Sequence, residues 1–335
     1  MKEKYMFRNY KPLLGVLAAS VLLALPAAAA SSAIPGTVNY VEGQVAVAGQ
    51  TVTPQSVGSV QLQPNQVLET GQGRAEILLT PGVFLRIGDN SAVRLVSPGL
   101  ADTRVEVLRG HAIVEAAELF KDNNLWVAMN GASTRLAKEG LYAFNADSGL
   151  VQVFDGEASV EQGDRHVDVK KDHLINLNGP WKTVHFDPKS QAGQDPLYAW
   201  SNLRSEYVAE ASMQSAQNVF VGGGAYWYGP GWYWNPYWDM YGFIPGDGIW
   251  YSPFGWPFYS PWVVGFYGGY GYGLHGYRPG FAGRSFAALQ GHGHVSGSAI
   301  ASGGRFAGSA RAGGFAGGGF AGGMHAGFGG GGGRR

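Results

Sequence analysis

The chain has no cysteine. That absence excludes disulfide staples, thiolate zinc sites, a cysteine nucleophile and lipidation of an N-terminal cysteine. Charge is sparse as well. Asp, Glu, Lys and Arg make up 14% of the 335 residues, against about 25% in an ordinary soluble domain. The 24 basic and 24 acidic side chains cancel, which argues against nucleic acid as a partner. Glycine is what the chain has in excess. Of 54 glycines, 18 precede residue 222 and 36 follow from there. Only the first part therefore has the make-up of a packed core.

The amino terminus predicts a compartment. Lys2, Lys4, Arg8 and Lys11 form a basic stretch, and residues 12–25 are an apolar run of 14. Ala28-Ala29-Ala30 then offers a small-residue cleavage site before Ser31. Residues 1–30 thus read as a secretory signal peptide, too short for a comfortable span of about 20 residues. Sec export to the periplasm, or to the cell surface and beyond, is the expectation. Cleavage would leave no transmembrane span. An uncleaved signal anchor is the alternative, since alanine prolongs the apolar stretch to Ala33.

Residues 36–178 read as one short strand after another. Thirteen apolar or β-branched runs, such as Val83–Ile87, Val105–Leu108, Leu141–Phe144 and Val151–Phe154, are separated by turn signals. Pro81-Gly82, Asn130-Gly131 and Asp155-Gly156 are examples. This punctuation predicts an all-β fold: a sandwich, a barrel or a short β-solenoid. Val114–Lys121 is the one stretch compatible with helical periodicity.

The segment echoes itself. Residues 105–115 align with residues 151–161 at six of eleven identical positions, centred on Gly110 and Gly156. A looser copy, residues 38–47, centres on Gly43. Two alternating strands around one glycine predict a tight bend or hairpin with a positive φ at the glycine.

At these residues the chain resembles the FecR domain, the extracytoplasmic module of ferric-citrate-type regulators. The resemblance lies in Gly43-Gln44-Val45, Leu68-Glu69-Thr70-Gly71-Gln72-Gly73-Arg74-Ala75-Glu76-Ile77, Phe84-Leu85-Arg86-Ile87 and Val107-Leu108-Arg109-Gly110. Gly140-Leu141-Tyr142-Ala143-Phe144 and Val153-Phe154-Asp155-Gly156-Glu157-Ala158 look like its second half. It implies a FecR-like β-domain over residues 36–184 and an extracytoplasmic setting. In the regulators a cytoplasmic segment captures a sigma factor. Only eleven residues precede the apolar run here, so anti-sigma activity is not carried over.

Residues 185–221 read as a linker and one amphipathic helix. Asp195-Pro196 is an N-cap followed by a helix-starting proline. Leu197, Trp200, Leu203, Tyr207, Val208 and Ala211 share one predicted face, and Arg204, Glu206 and Glu210 fall mostly elsewhere. The face docks either on a partner or on the chain's own β-domain.

Residues 222–278 carry 22 aromatic rings and 15 glycines among 57 positions. Trp227, Trp232, Trp234, Trp238, Trp250, Trp256 and Trp262 form a candidate contact surface, because ring faces stack on sugars, cations and one another. A glycan-contacting surface, an adhesive segment and a strap on the β-domain are the three readings. No Lys or Arg is interleaved before Arg278, which disfavours stacking on nucleic acid. Residues 279–335 repeat Phe-Ala-Gly in glycine and are predicted to be disordered, with weak multivalent self-association.

A search for chemistry predicts no catalytic, cofactor or metal site. Residues 271–276 match G-x-G-x-x-G without a βαβ context. His292 and His294 lack a carboxylate, and His111, His166, His173 and His185 are scattered along the strands. The expectation is an exported, non-catalytic protein that binds a protein partner or ligand in the cell envelope. The alternative is a structural or adhesive surface protein whose C-terminal part contacts glycan or itself.

Overall fold

The computed structural model describes residues 33–225 and 227–269. The predicted signal peptide, the stretch 270–278 and the Gly-rich tail with His292 and His294 lie outside the described residues.

Fifteen strands hydrogen-bond into one sheet. The first five are β1 (Val38–Val47), β2 (Gln50–Thr51), β3 (Val67–Leu78), β4 (Val83–Ile87) and β5 (Ala92–Pro98). Then come β6 (Asp102–Arg109), β7 (His111–Ala116), β8 (Asn124–Met129), β9 (Ala132–Leu136) and β10 (Gly140–Asn145). The last are β11 (Leu150–Asp155), β12 (Glu157–Gln162), β13 (Arg165–Lys170), β14 (His173–Asn176) and β15 (Val184–His185). The pairing order is β13-β12-β9-β8-β6-β5-β3-β4-β7-β10-β11-β14-β15, and β1 runs along the other edge of β3.

The sheet is folded over on itself. β3 makes the fold: residues 67–69 pair with β5, and residues 75–78 pair with β4. Between them, Gly71-Gln72-Gly73 stays inside the strand as its corner. One layer is then β13-β12-β9-β8-β6-β5, the other β4-β7-β10-β11-β14-β15. Their inner side chains, among them Val105, Val127 and Val160 facing Val114, Phe144 and Val153, share one buried cluster. β13 comes close to β11 and β14 without pairing to either. The architecture is a sandwich and not a closed barrel.

The two layers differ in how many faces they bury. β8 and β9 of the first layer alternate between buried and exposed residues, as a half-solvated sheet does. β4 is buried at all five positions and β10 at five of six. Something therefore covers the outer face of the second layer, and that cover comes from residues beyond 186.

The three echo glycines are not hairpin pivots. β6 and β7, on either side of Gly110, do not pair with each other but belong to opposite layers, and so do β11 and β12 around Gly156. Gly43 sits in mid-strand at a bulge where β1 passes between layers. Their φ values are +68°, +73° and +93° for Gly43, Gly110 and Gly156. A Cβ would run into Gln72 O, Ser91 Oγ or Tyr142 Oη respectively. The repeated motif is a layer-crossing corner, which needs the backbone freedom and the space of glycine. Val114–Lys121 is not helical: it ends β7 and continues as irregular chain.

α1 (Pro188–Gln194) and α2 (Pro196–Val221) follow. Asp187 and Asp195 cap them, accepting hydrogen bonds from Lys189 N at 3.0 Å and Leu197 N at 2.8 Å. α2 has two buried sides, which is why no single apolar stripe marks it. Leu197 and Trp200 pack on Ile113, Leu141, Ala143 and Phe154 of the sandwich. Ser205, Ser212 and Ala216 are small and buried, and admit a close neighbour on the far side. Two of the predicted positions are corrected: Leu203 is 39% exposed and Arg204 is 2% exposed.

Candidate functional site

The neighbour on the far side of α2 is the aromatic segment. It forms one hairpin from β16 (Gly231–Asn235) and β17 (Met240–Ile244), and a second from β18 (Ile249–Tyr251) and β19 (Pro257–Tyr259). α3 (Pro261–Gly269) comes next. Prolines at 236, 245, 253 and 257 fall in the turns or at a strand start, where no ladder donor is required. Gly242 lies so close to Ser212 of α2 that a Cβ there would overlap it.

Most of the candidate rings are committed to this packing. Trp232 meets Phe84 of β4 edge-on at 5.0 Å and Phe243 at 5.9 Å, and Phe258 completes the cluster. Trp234 lies against Tyr241, and Trp238 stacks on Tyr207 of α2. Trp256 donates from Nε1 to Asn202 Oδ1 at 2.8 Å, and Trp250 donates to Asp247 O at 3.1 Å. Trp227 stacks on Tyr233. Burial at 3% exposure, against Phe84 and Phe243, removes Trp232 from any contact surface. The remaining five are half-buried, and Trp262 is exposed. Among the described residues, the rings of this segment that face solvent most are Trp262, Tyr228, Tyr237 and Tyr251.

Beneath this cap lies a buried charge network. Glu76 (β3), Arg86 (β4) and Glu115 (β7) stand side by side on the outer face of the second layer, and Arg204 descends from α2. Arg86 Nε donates to Glu76 Oε2 at 2.7 Å, and Arg86 Nη1 donates to Glu115 Oε2. Arg204 Nη2 donates to Glu76 Oε1 at 2.9 Å, and Ser205 Oγ donates to Glu115 Oε1 at 2.7 Å. Asn39 ties in the cap: its Nδ2 donates to Glu76 Oε1 and to Tyr241 O, and its Oδ1 accepts from Tyr241 N at 2.7 Å. The Arg204 guanidinium also lies over the Tyr40 ring at 4.0 Å.

Two guanidiniums and two carboxylates balance in charge, as burial requires. Burial alone would push the Glu76 carboxyl up. Arg204 and Arg86 together outweigh that and hold it below the usual carboxylate range. Burial likewise works against the Arg86 charge, and Glu115 and Glu76 overcome it. The sequence signal was a charged residue between apolar strand neighbours: Glu76 between Ala75 and Ile77, Arg86 between Leu85 and Ile87, and Glu115 between Val114 and Ala116. Glu76 lies ten positions before Arg86, opposite it across the β3–β4 hairpin, whereas Glu115 and Arg204 come from remote segments that spacing could not place in the patch.

Two other titratable groups stand near the cap. Burial, with Glu139 and Asp247 nearby, pushes the Glu118 carboxyl up to about 7. Burial depresses the His111 imidazole despite Asp195, whose Oδ1 is 3.6 Å from Nδ1. The echo glycines play no part in a binding surface; they shape the corners that set these strands in place. Among the described residues, no three or more His, Asp or Glu side chains group as a metal site. No described helix is long and apolar enough to cross a membrane.

No family model and no curated protein matches the chain. Two crystal structures of a predicted anti-sigma factor from Parabacteroides distasonis ATCC 8503, at 2.50 and 1.65 Å resolution, are similar to part of it. Each is 16% identical with a TM-score of 0.34, and covers 39% of this chain. The match spans 64% and 65% of those two chains, less than two thirds of their length.

Proposed function

We propose that the chain is an exported, non-catalytic protein of the bacterial cell envelope, and that its capped sandwich docks a protein partner. The observation that carries this reading is an apolar rim at the end of α2. Phe220 is 40%, Val221 84% and Trp262 57% exposed. Phe220 abuts Gly265 of α3, and the Trp262 ring lies 3.9 Å from the position of a Cβ on Gly224. Exposed apolar residues gathered in this way mark interaction sites more often than singly scattered ones do. The basic and apolar amino terminus and the FecR-like motifs support the extracytoplasmic setting.

Recovery of bound proteins from envelope fractions tests the reading. The intact chain should retain one protein, and a Phe220→Ser/Trp262→Ala double variant should release it. Equal recovery by both chains sinks the proposal. A second reading, a structural or adhesive role, draws on Tyr237, which is 66% exposed beside the Trp238–Tyr207 stack. Retention by purified glycan, lost in Tyr237→Ala, would favour it.

A further inference from the structure

We propose that His173 and His185 together bind a first-row divalent transition metal ion such as Zn2+, bracing β15 against β14. The two residues lie directly opposite each other in the antiparallel β14–β15 pair. Phe186 N donates to Asp172 O at 3.0 Å, so the next pair along, 173 with 185, is a non-hydrogen-bonded one. In such pairs the side chains stand closest.

The imidazole centroids are 5.4 Å apart with the ring planes 57° apart. Two imidazoles on one tetrahedral ion, with metal–nitrogen bonds of about 2.0–2.1 Å, would place their centroids about 5.2 Å apart. The pair already stands at that separation.

The tautomer is also suited. His173 Nδ1 lies 2.8 Å from the Lys171 carbonyl oxygen. A carbonyl can only accept, so Nδ1 carries the proton and Nε2 keeps its lone pair for a ligand. A second hydrogen bond of this kind orients metal-binding histidines and raises their basicity. His185 is exposed and His173 half-buried, which leaves room for water to complete the coordination. β15 pairs with nothing but β14, and the chain then runs through Phe186 to the capped start of α1. A metal bridge here would fasten the exit of the chain from the sandwich.

Calorimetric titration of the chelator-stripped full chain with ZnCl2 tests this, with a thermal melt as a parallel readout. The comparison needs His173→Ala, His185→Ala and a His292→Ala/His294→Ala control. The wild type and the control should bind zinc alike and melt later with zinc present. Both single variants should bind at least about tenfold more weakly and lose the zinc-dependent shift, with unchanged circular dichroism in the absence of metal. No zinc binding by the wild type overturns the proposal, and so does retention of binding by either single variant. Loss of all binding in the control overturns it too, by placing the metal elsewhere.

Discussion

Arg204 and Glu76 are 128 positions apart in the chain and 2.9 Å apart in space, and both side chains are closed off from water. The pair joins α2 to the sandwich. Arg86 and Glu115 complete the charge balance of the same buried patch.

Removing one charge from this patch should therefore cost more than losing an ordinary surface pair. Arg204→Met leaves Glu76 with Arg86 as its only cation, and breaking a buried pair costs on the order of 3 kcal/mol. Urea denaturation should show that loss. Glu76→Gln combined with Arg204→Met should cost less than the sum of the single changes, since the double variant leaves fewer charges unmatched.

The layer-crossing corners make a contrasting prediction. Gly156→Ala meets both a positive φ and the Tyr142 hydroxyl, whereas Gly163→Ala meets a positive φ with open space around it. The second change should cost about 1 kcal/mol from backbone strain alone. The first should cost clearly more, read as a larger drop in denaturation midpoint at equal slope. Equal costs would mean that the corner gives way and that glycine is not required there.

Stability should pass through a maximum in mildly acid solution. Glu76 has a folded-state pKa below its ordinary value, so its contribution is full above about pH 4.5 and is lost as pH falls through the lowered value. Glu118 runs the other way. Its folded carboxyl titrates near 7 against an ordinary 4.5, so the folded state holds its proton more tightly and stability falls as pH rises between those values. Glu118→Gln should accordingly stabilise the fold by on the order of 2 kcal/mol at pH 8 and leave it nearly unchanged at pH 4.5. Melting both proteins across pH 4 to 8 checks the sign.

Two tryptophans from the same segment should behave differently. Trp232→Ala empties a site against Phe84 and should cost about 3–5 kcal/mol. Trp262→Ala should change stability by less than about 0.5 kcal/mol, and its effect should appear in recovery of an envelope partner.

How much of this could be read beforehand depended on whether the information was local. The short apolar runs Val83–Ile87, Leu125–Met129 and Leu141–Phe144, and the Asp195-Pro196 start of α2, are all short-range signals. Each matched what the fold required. The corners at Gly110 and Gly156 were visible as glycines, but a hairpin and a crossing differ only in the partners of the flanking strands. Those partners lie far away in sequence. α2 misled for a related reason: with a sheet on one side and hairpins on the other, its buried residues include Ser201, Ser205, Ser212 and Arg204. A one-sided apolar rule does not describe such a helix. The aromatic segment left a contact surface and a strap on the β-domain both open, because its prolines and glycines break long elements; two short hairpins fold most of its rings inward, as a strap does.

The bond between Asn39 and Tyr241 spans 202 positions, and it fixes an order of events. Synthesis delivers Asn39 early, together with every strand of the sandwich, long before the residues that roof over Phe84 and Ile113 exist. A nascent chain that stops short of Arg204 therefore displays an apolar sheet face with a half-neutralised charge patch at its centre. Such a face invites premature association. The last quarter of the described chain is thus the piece whose arrival ends that vulnerable interval.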